Sequence, residues 1–279
     1  MDIVTSFIRH HVAASGRRGV ALGLSGGVDS AVVAKLCADA IGPKRVLALG
    51  LPDGDGGADA EDARTWAKTL GIEFRMIDIA PVVAMFEKEL DAGRADRITR
   101  GNLRPRVRMI VLYYIANRED RLVMGTGNKS ELAVGYFSKF GDGGADFLPV
   151  GDLYKTQVRA MARHLGVPEA IVRKTPSAGL WAGQTDEGEL GIAYEDLDRI
   201  LLGIELQMEP ETIAEKTGTS LDAVKRVESM VVRPCRRAVV RGSSTAAVRA
   251  WNSSSARRPE GFSPTRRRRP PIMAGSTQA

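Results

Sequence analysis

Residues 25–30, Ser-Gly-Gly-Val-Asp-Ser, have the composition of a loop that binds phosphate. They follow a short apolar run at residues 20–24 and precede a segment with helical spacing at residues 31–37, so a buried strand, a tight turn and a helix start are predicted in succession. Backbone N–H groups at such a helix start attract an anion, and the paired glycines let the main chain approach it closely. The serine hydroxyls add donors, and Asp29 supplies a carboxylate of the kind that Mg²⁺ binds beside phosphates.

This loop differs from two common nucleotide-binding loops. It lacks the lysine of the G-x-x-x-x-G-K-[ST] pattern, and it does not contain G-x-G-x-x-G. An ordinary strand–turn–helix junction is the plainer alternative. As a whole, residues 25–30 resemble the signature of the ATP pyrophosphatases, which cleave ATP between the α and β phosphates and adenylate an oxygen of their substrate. That resemblance indicates the superfamily but leaves the substrate open.

Strand and helix patterns alternate around the loop. Short apolar runs predict further strands at residues 45–51, 73–79 and 121–125. Helical spacing predicts helices at residues 1–14, 58–70, 81–90, 103–118, 152–166, 168–173, 194–206, 211–215 and 221–232. The alternation predicts an α/β fold, a three-layer arrangement in which a parallel sheet is covered by helices on both faces, with a C-terminal helical part. Ligands of such folds bind at the carboxyl ends of the strands.

The positive charge of the chain is concentrated at its C-terminal end. The net charge is +6, but residues 234–279 contain ten arginines and one acid, whereas residues 1–233 carry a net charge of −3. Serine, proline and glycine accompany the arginines, so we predict a folded domain at residues 1–233 and a poorly ordered basic tail at 234–279. No apolar run is long enough to span a membrane, the N-terminus lacks a signal-peptide pattern, and two cysteines cannot form a disulfide framework. We therefore expect a cytoplasmic protein without membrane partners.

Further segments resemble the NAD synthetase family, in the order in which that family has them. They are residues 102–109 (NLRPRVRM), 125–131 (GTGNKSE), 139–158 (KFGDGGADFLPVGDLYKTQV), 176–181 (PSAGLW) and 183–187 (GQTDE). The resemblance covers roughly residues 1–233 and implies an adenine nucleotide alpha hydrolase-like fold. It also implies a ligase that amidates deamido-NAD to NAD with ATP and ammonia through an adenylated intermediate, releasing AMP and pyrophosphate.

The resemblance also implies roles for individual residues. The ATP contacts would be Gly23, Leu24, Ser25, Gly26, Gly27, Val28, Asp29, Ser30, Thr126, Lys155 and Ser177. Deamido-NAD would be bound by Arg106, Lys139 and Asp146. Asp29 and Glu131 would hold Mg²⁺, and Asp29, Glu131 and Lys155 would form the catalytic group.

Plainer interpretations of these residues stay open. Arg106 could lie on a solvated helix face, and Glu131 could support a helix N-terminus. Lys155 lies near a helix start, where the dipole disfavours a cation, so an anionic partner is expected nearby. Tyr154 and Trp181 are expected in the core rather than in the site.

The family resemblance implies a homodimer with the dinucleotide site shared across the interface. Because the chain starts almost directly at the synthetase body, we expect free ammonia rather than glutamine as the nitrogen donor. The His-Lys pair that usually closes the family's sequences is missing after residue 233, so no residue is assigned to that substrate contact.

Two other functions remain as alternatives. Another ATP pyrophosphatase, such as a GMP synthetase-type enzyme or a tRNA-thiolating one, would share only the first loop. A nucleic-acid-binding protein could use the basic tail, with a salt-sensitive affinity as its sign. The helix pair at residues 211–215 and 221–232 superficially resembles a helix-turn-helix, but its second helix lacks a basic cluster, which favours a packed helical hairpin.

Overall fold

Within residues 2–181 and 183–237, which the computed structural model describes, four short strands form one parallel sheet in the order β3-β2-β1-β4. The strands are β1 (Gly19–Gly23), β2 (Val46–Gly50), β3 (Glu73–Met76) and β4 (Arg121–Met124). Val20 of β1 pairs with Val46 of β2 on one side and with Leu122 of β4 on the other. The sheet therefore grows outward from β1 in both directions, and the loops after β1 and β4 lie side by side at the point where ligands of open parallel sheets bind.

Helices connect and cover these strands. In chain order they are α1 (Asp2–Ser15), α2 (Val28–Ile41), α3 (Gly57–Leu70), α4 (Ala80–Glu89), α5 (Arg97–Gly101), α6 (Leu103–Arg118), α7 (Lys129–Val134), α8 (Lys155–His164), α9 (Glu169–Val172), α10 (Asp186–Leu190), α11 (Tyr194–Glu205), α12 (Pro210–Thr217) and α13 (Leu221–Arg237).

Alternate residues of the strands point to opposite helical layers. Val20 and Leu22 of β1 are fully buried in a cluster with residues of α1, α2, α3 and α8. Ala21, between them, packs with Ala116 of α6, and Leu47 of β2 packs against residues of α4 and α6. Period-two alternation between two apolar layers is what a sheet buried on both faces requires. The predicted three-layer α/β fold is confirmed.

The strand predicted at residues 73–79 ends at Met76, and the short helices α5, α7 and α10 are not predicted. Two predicted helices also differ in their boundaries. Residues 152–154, predicted to be helical, precede α8, which begins at Lys155. The last predicted helix ended at residue 232, whereas α13 continues to Arg237 and so crosses the predicted domain boundary at 233. The remainder of the predicted tail, residues 238–279, lies outside the described residues. None of the helices in the described part of the chain is long and apolar enough to cross a membrane.

The C-terminal helices buttress the two helices that start at the cavity described below. Asp198 on α11 is buried and accepts a hydrogen bond from the Ser130 hydroxyl on α7 and another, of 2.8 Å, from the Thr156 amide on α8. The Ser130 hydroxyl in turn accepts from the Lys155 amide at 2.9 Å. Asp198 thereby fixes the starts of α7 and α8 relative to each other. Helix α12 packs against α11 and α13, as the helical-hairpin interpretation requires.

Candidate active site

A cavity of about 930 Å³ opens at the carboxyl ends of the strands. Its walls come from the loops after β1, β2 and β4, the first turns of α2, α7 and α8, one side of α6, and the segment 174–181 with the adjacent start of α10. Loops at this edge of a parallel sheet are held by a rigid scaffold, so the side chains they carry can be placed accurately.

The loop at residues 25–30 is shaped by its own serines. The Ser30 hydroxyl donates to the Gly27 carbonyl at 2.9 Å and accepts from the Ser25 amide at 3.2 Å. The two serine hydroxyls are 3.2 Å apart, and the Gly27 amide donates to the Ser25 hydroxyl at 3.3 Å. Gly27 precedes α2 without a side-chain cap, so the first N–H groups of that helix remain available to an anion.

Position 26 can be occupied only by glycine. Its φ angle is +82°, and a Cβ atom built there would lie 2.3 Å from the Asp59 carbonyl oxygen on α3. A side chain would therefore clash with backbone and strain the turn. This close contact seats the phosphate loop against α3.

Lys155 lies at the centre of the acidic side of the cavity. Its side chain is only 3% exposed, and Nζ is 2.6 Å from Asp29 Oδ2 and 3.2 Å from Glu131 Oε1. The two carboxylates thus converge on one point although they belong to α2 and α7. The anionic partner that the position of Lys155 at a helix start predicts is confirmed, and it is supplied by the protein itself.

Asn128 and Glu131 fix this cluster through a capping box at the start of α7. The Glu131 amide donates to Asn128 Oδ1 at 3.0 Å, and the Asn128 amide donates to Glu131 Oε2 at 3.1 Å. Asn128 Nδ2 also donates to Asp29 Oδ1 at 3.0 Å. Glu131 therefore supports a helix N-terminus, as the plainer interpretation proposed, and still directs Oε1 at Lys155.

Burial and charge shift the pKa values of this cluster. Burial raises the pKa of Glu131 to about 7, the negative charge of Asp29 adds to this effect, and Lys155 opposes it. Burial alone would lower the pKa of the Lys155 ammonium, but the two carboxylates outweigh it and raise that pKa. The lysine is therefore held in its charged form, and the Glu131 carboxyl takes up a proton at a higher pH than an ordinary glutamate does.

The donor set fits a hard divalent cation. Asp29 and Glu131 direct carboxylate oxygens at a common point, and Mg²⁺ prefers one or two carboxylates, with substrate phosphates and water completing its shell. Among the described residues, no group of three or more His, Cys, Asp or Glu side chains could hold a metal. A metal bound by the two carboxylates would complete its shell with phosphate oxygens and water.

Most of the residues expected to bind ATP line the cavity. These are Gly23, Leu24, Ser25, Gly27, Val28, Asp29, Ser30, Thr126, Lys155 and Ser177, together with Glu131. Gly26 does not line the cavity, because its α-carbon faces α3.

The three residues expected to bind the dinucleotide lie elsewhere. Arg106 and Lys139 are exposed outside the cavity lining, where Arg106 Nε donates to the Lys139 carbonyl at 3.2 Å. Asp146 accepts from the Val123 amide at 2.7 Å and from the Tyr113 hydroxyl at 3.1 Å. Its carboxylate therefore fastens the loop after β4 to the sheet, and its predicted role as a substrate ligand remains a prediction.

Sequence reasoning missed several side chains that the cavity does contain. Arg108 lines it and donates from Nε to the Leu51 carbonyl at 2.9 Å. Trp181, expected in the core, also lines it and has the Arg97 guanidinium 4.4 Å above its ring. Helical geometry could have identified Arg108, because Arg106 lies two positions away and so faces the other side of α6.

Lys174 and Asp186 were missed as well. Lys174 Nζ lies 3.2 Å from the Gly26 carbonyl and contacts the carboxylates of Asp59 and Asp62 on α3 at 2.6 and 2.5 Å. Asp186 is a buried carboxylate in the cavity wall. Asp186 lies in the family-like segment 183–187, but only the fold shows that its side chain reaches the cavity, and Lys174 is marked by no local pattern.

Comparisons with known proteins give consistent results. A family model described as NAD synthase matches residues 1–235. The chain is 47% identical over 233 residues to the NH(3)-dependent NAD(+) synthetase of Methanosarcina mazei, covering 82% of this chain and 91% of the relative. It is 55% identical over 207 residues to the NH(3)-dependent NAD(+) synthetase of Archaeoglobus fulgidus, covering 74% and 83%. The solved structure of NMN synthetase from Francisella tularensis is similar with 34% identity and a TM-score of 0.76, over 88% of this chain and 96% of that one.

Proposed function

The chain belongs to the NAD synthase family, and on that premise we propose that it amidates deamido-NAD to NAD with ATP and ammonia. It is a ligase that forms a C–N bond. One observation supports this proposal most strongly. The 25–30 loop, which includes Asp29, lines the same cavity as Glu131 and Lys155, and Lys155 contacts both carboxylates.

The reaction has two steps, which these residues suit. In the first, the nicotinate carboxylate attacks the α-phosphorus of ATP, and pyrophosphate leaves. In the second, ammonia attacks the acyl carbon, the C–N bond forms as the C–O bond to AMP breaks, and one proton is released. The open N–H groups of α2 and the Lys155 ammonium support the first step, because they are fixed donors where phosphate charge must be stabilised.

We propose Asp29 and Glu131 as the Mg²⁺ ligands. Bound there, the metal would neutralise phosphate charge and stabilise the leaving pyrophosphate. Lys155 contacts the same two carboxylates and neutralises part of their charge. These contacts hold its ammonium beside the phosphate loop, where phosphate oxygens of ATP would lie.

The proposed reaction is tested by product formation from defined substrates. With ATP, Mg²⁺, deamido-NAD and ammonium we expect NAD and AMP in equal amounts, and we expect little NAD when glutamine replaces ammonium. Nicotinic acid mononucleotide should be tried in parallel, since a similar solved structure is an NMN synthetase. Efficient use of glutamine would overturn the assigned nitrogen donor. A preference for nicotinic acid mononucleotide would overturn the assigned substrate.

A homodimer with a shared dinucleotide site is part of the proposal. Arg106, Ile110 and Tyr114 follow one another at four-residue spacing along one face of α6, where Ile110 is 54% and Tyr114 66% exposed. Arg106 contacts Lys139 beside them. Exposed apolar side chains next to two cations proposed to bind the dinucleotide support an interface that covers this face and completes the site.

Sedimentation tests the dimer. We expect a species of twice the 30.1 kDa chain mass, which Tyr114→Glu should convert to monomer because a carboxylate would be buried in the interface. The same variant should raise the KM for deamido-NAD more than the KM for ATP. Ile3→Glu, at an 86% exposed position on α1, is the control and should leave the dimer intact. Dimers that persist in Tyr114→Glu would place the interface on another face.

The small-molecule substrates follow from the family, whereas a cytoplasmic location is retained as a prediction. Neither a GMP synthetase-type nor a tRNA-thiolating activity is favoured by any feature of the cavity. Nucleic-acid binding through the basic tail at residues 234–279 is likewise favoured by no feature of the described residues.

A further inference from the structure

Asp186 is a buried carboxylate to which the reaction described above gives no role. It is the first residue of α10, is 4% exposed and lines the cavity. The Tyr194 hydroxyl donates to Oδ2 at 3.1 Å, whereas Oδ1 is buried and has no hydrogen-bond partner among the described residues. Buried carboxylate oxygens are normally paired, so an unpaired one in a cavity wall indicates a ligand that brings the donor.

The charges facing Asp186 restrict the nature of that ligand. The Lys155 ammonium lies 5.1 Å from the centre of the Tyr194 ring, and Asp29 and Glu131 lie beyond it. Burial raises the pKa of Asp186, and Lys155 and Tyr194 oppose that rise. This side of the cavity thus contains the carboxylates of Asp29, Glu131 and Asp186 but, among the described residues, only one ammonium near them, that of Lys155. It therefore has an excess of negative charge. An anionic ligand at Oδ1 is disfavoured, and a cation or a neutral donor is favoured.

The neighbours on the α10 side leave Oδ1 as an unpaired acceptor. Glu189 Oε2 is occupied by the Tyr136 hydroxyl and the Gln184 amide, each at 2.8 Å. Tyr136 also lies near Asp186 and opposes the rise in its pKa, but in this structure its hydroxyl donates to Glu189. Because Oδ1 itself is buried, the ligand must be small, and it must also donate a hydrogen bond and carry no negative charge.

We propose that Oδ1 of Asp186 binds the ammonium or ammonia that the reaction consumes. This inference rests on the proposed ammonia-dependent function and extends it by assigning the nitrogen a site. Ammonia and ammonium are the smallest N–H donors in the reaction, and both meet the requirements of size, donor capacity and charge. A nitrogen held at Oδ1 lies in the same cavity as the phosphate loop, so the attack on the adenylate becomes a reaction between two bound partners.

The test is the change in KM for each substrate in Asp186→Asn. This change keeps the size of the side chain but removes the charge of the acceptor, so the KM for ammonium should rise about tenfold or more. The KM values for ATP and deamido-NAD should stay within about twofold, and pyrophosphate release in the absence of ammonium should be unchanged. Ammonium chloride at constant ionic strength is the probe.

Asp196→Asn is the matched control, since it makes the same chemical change outside the cavity lining, at a carboxylate of α11 that pairs with Arg199. It should leave the KM for ammonium within about twofold. Tyr194→Phe is the second variant should Asp186→Asn fail to fold, and a smaller selective rise is expected because Oδ2 loses its donor. An unchanged KM for ammonium, or parallel rises for all three substrates, overturns the proposal. A wild-type protein that makes no NAD from ammonium defeats the proposed function instead.

Discussion

Replacing Lys155 with methionine should lower the rate of adenylation by about 10³-fold. Methionine is similar in length but cannot donate to phosphate, and it leaves Asp29 and Glu131 facing each other without a cation between them. The variant therefore loses the positive charge that meets the charge developing on ATP. Pyrophosphate release in a single turnover with saturating ATP and Mg²⁺ measures this step directly.

The same substitution should also reduce stability. Removing one member of a buried ion pair leaves uncompensated charge, and we expect a loss of about 2–3 kcal/mol because the two carboxylates keep some contact with water. Activity must therefore be compared well below the melting temperature of the variant. Lys35→Met is the matched control, because Lys35 on α2 pairs with Asp39 at the surface and should affect neither property strongly. Adenylation within tenfold of the wild type would remove Lys155 from the catalytic group.

Asp29→Asn should lower adenylation by about 10²- to 10³-fold and make it depend on a higher Mg²⁺ concentration. The amide can still accept from Asn128, which donates to Asp29 Oδ1 at 3.0 Å, so the loop keeps that contact. It loses the charge that a metal requires and that pairs with Lys155. Pyrophosphate release titrated with Mg²⁺ separates these effects, since a lost metal ligand is partly compensated by excess metal.

Asp39→Asn provides the comparison for this variant. Asp39 lies on the same helix and forms an i,i+4 pair with Lys35 at the surface, so its loss should cost little. An unchanged Mg²⁺ dependence in Asp29→Asn would show that Asp29 acts only by holding Lys155. Because Asp29 contributes to a buried ion pair, its replacement by alanine is expected to destabilise the fold as well as the site.

The local part of this structure could be predicted from the sequence, because it depends on neighbouring residues. The apolar run before Ser25 and the glycine turn specify a strand and a helix start, and α6 occupies the predicted 103–118. The prediction of an anion beside Lys155 follows from the helix dipole alone. The sequence does not show which residue supplies that anion, because Asp29 and Lys155 are 126 residues apart in the chain.

The missed residues depend on which side of an element faces the cavity. Arg106 was named and Arg108 was not, yet helical geometry directs Arg108 inward and leaves Arg106 exposed. The hydrogen bonds of Asp146 to β4 and α6 become visible only when the loop after β4 is placed against the sheet. Asp186 lies in the family-like segment 183–187, but the burial of its unpaired oxygen, which singles it out within that segment, is not recorded in a sequence.

Lys174 has a consequence for how long the activated intermediate stays in the enzyme. Its ammonium holds the carbonyl of Gly26 and the carboxylates of Asp59 and Asp62, and the residues that follow it form one wall of the cavity. Moving that wall aside would therefore break its ion pairs with α3 and its hydrogen bond to the phosphate loop. We expect these contacts to oppose premature escape of the acyl-adenylate, which water would destroy.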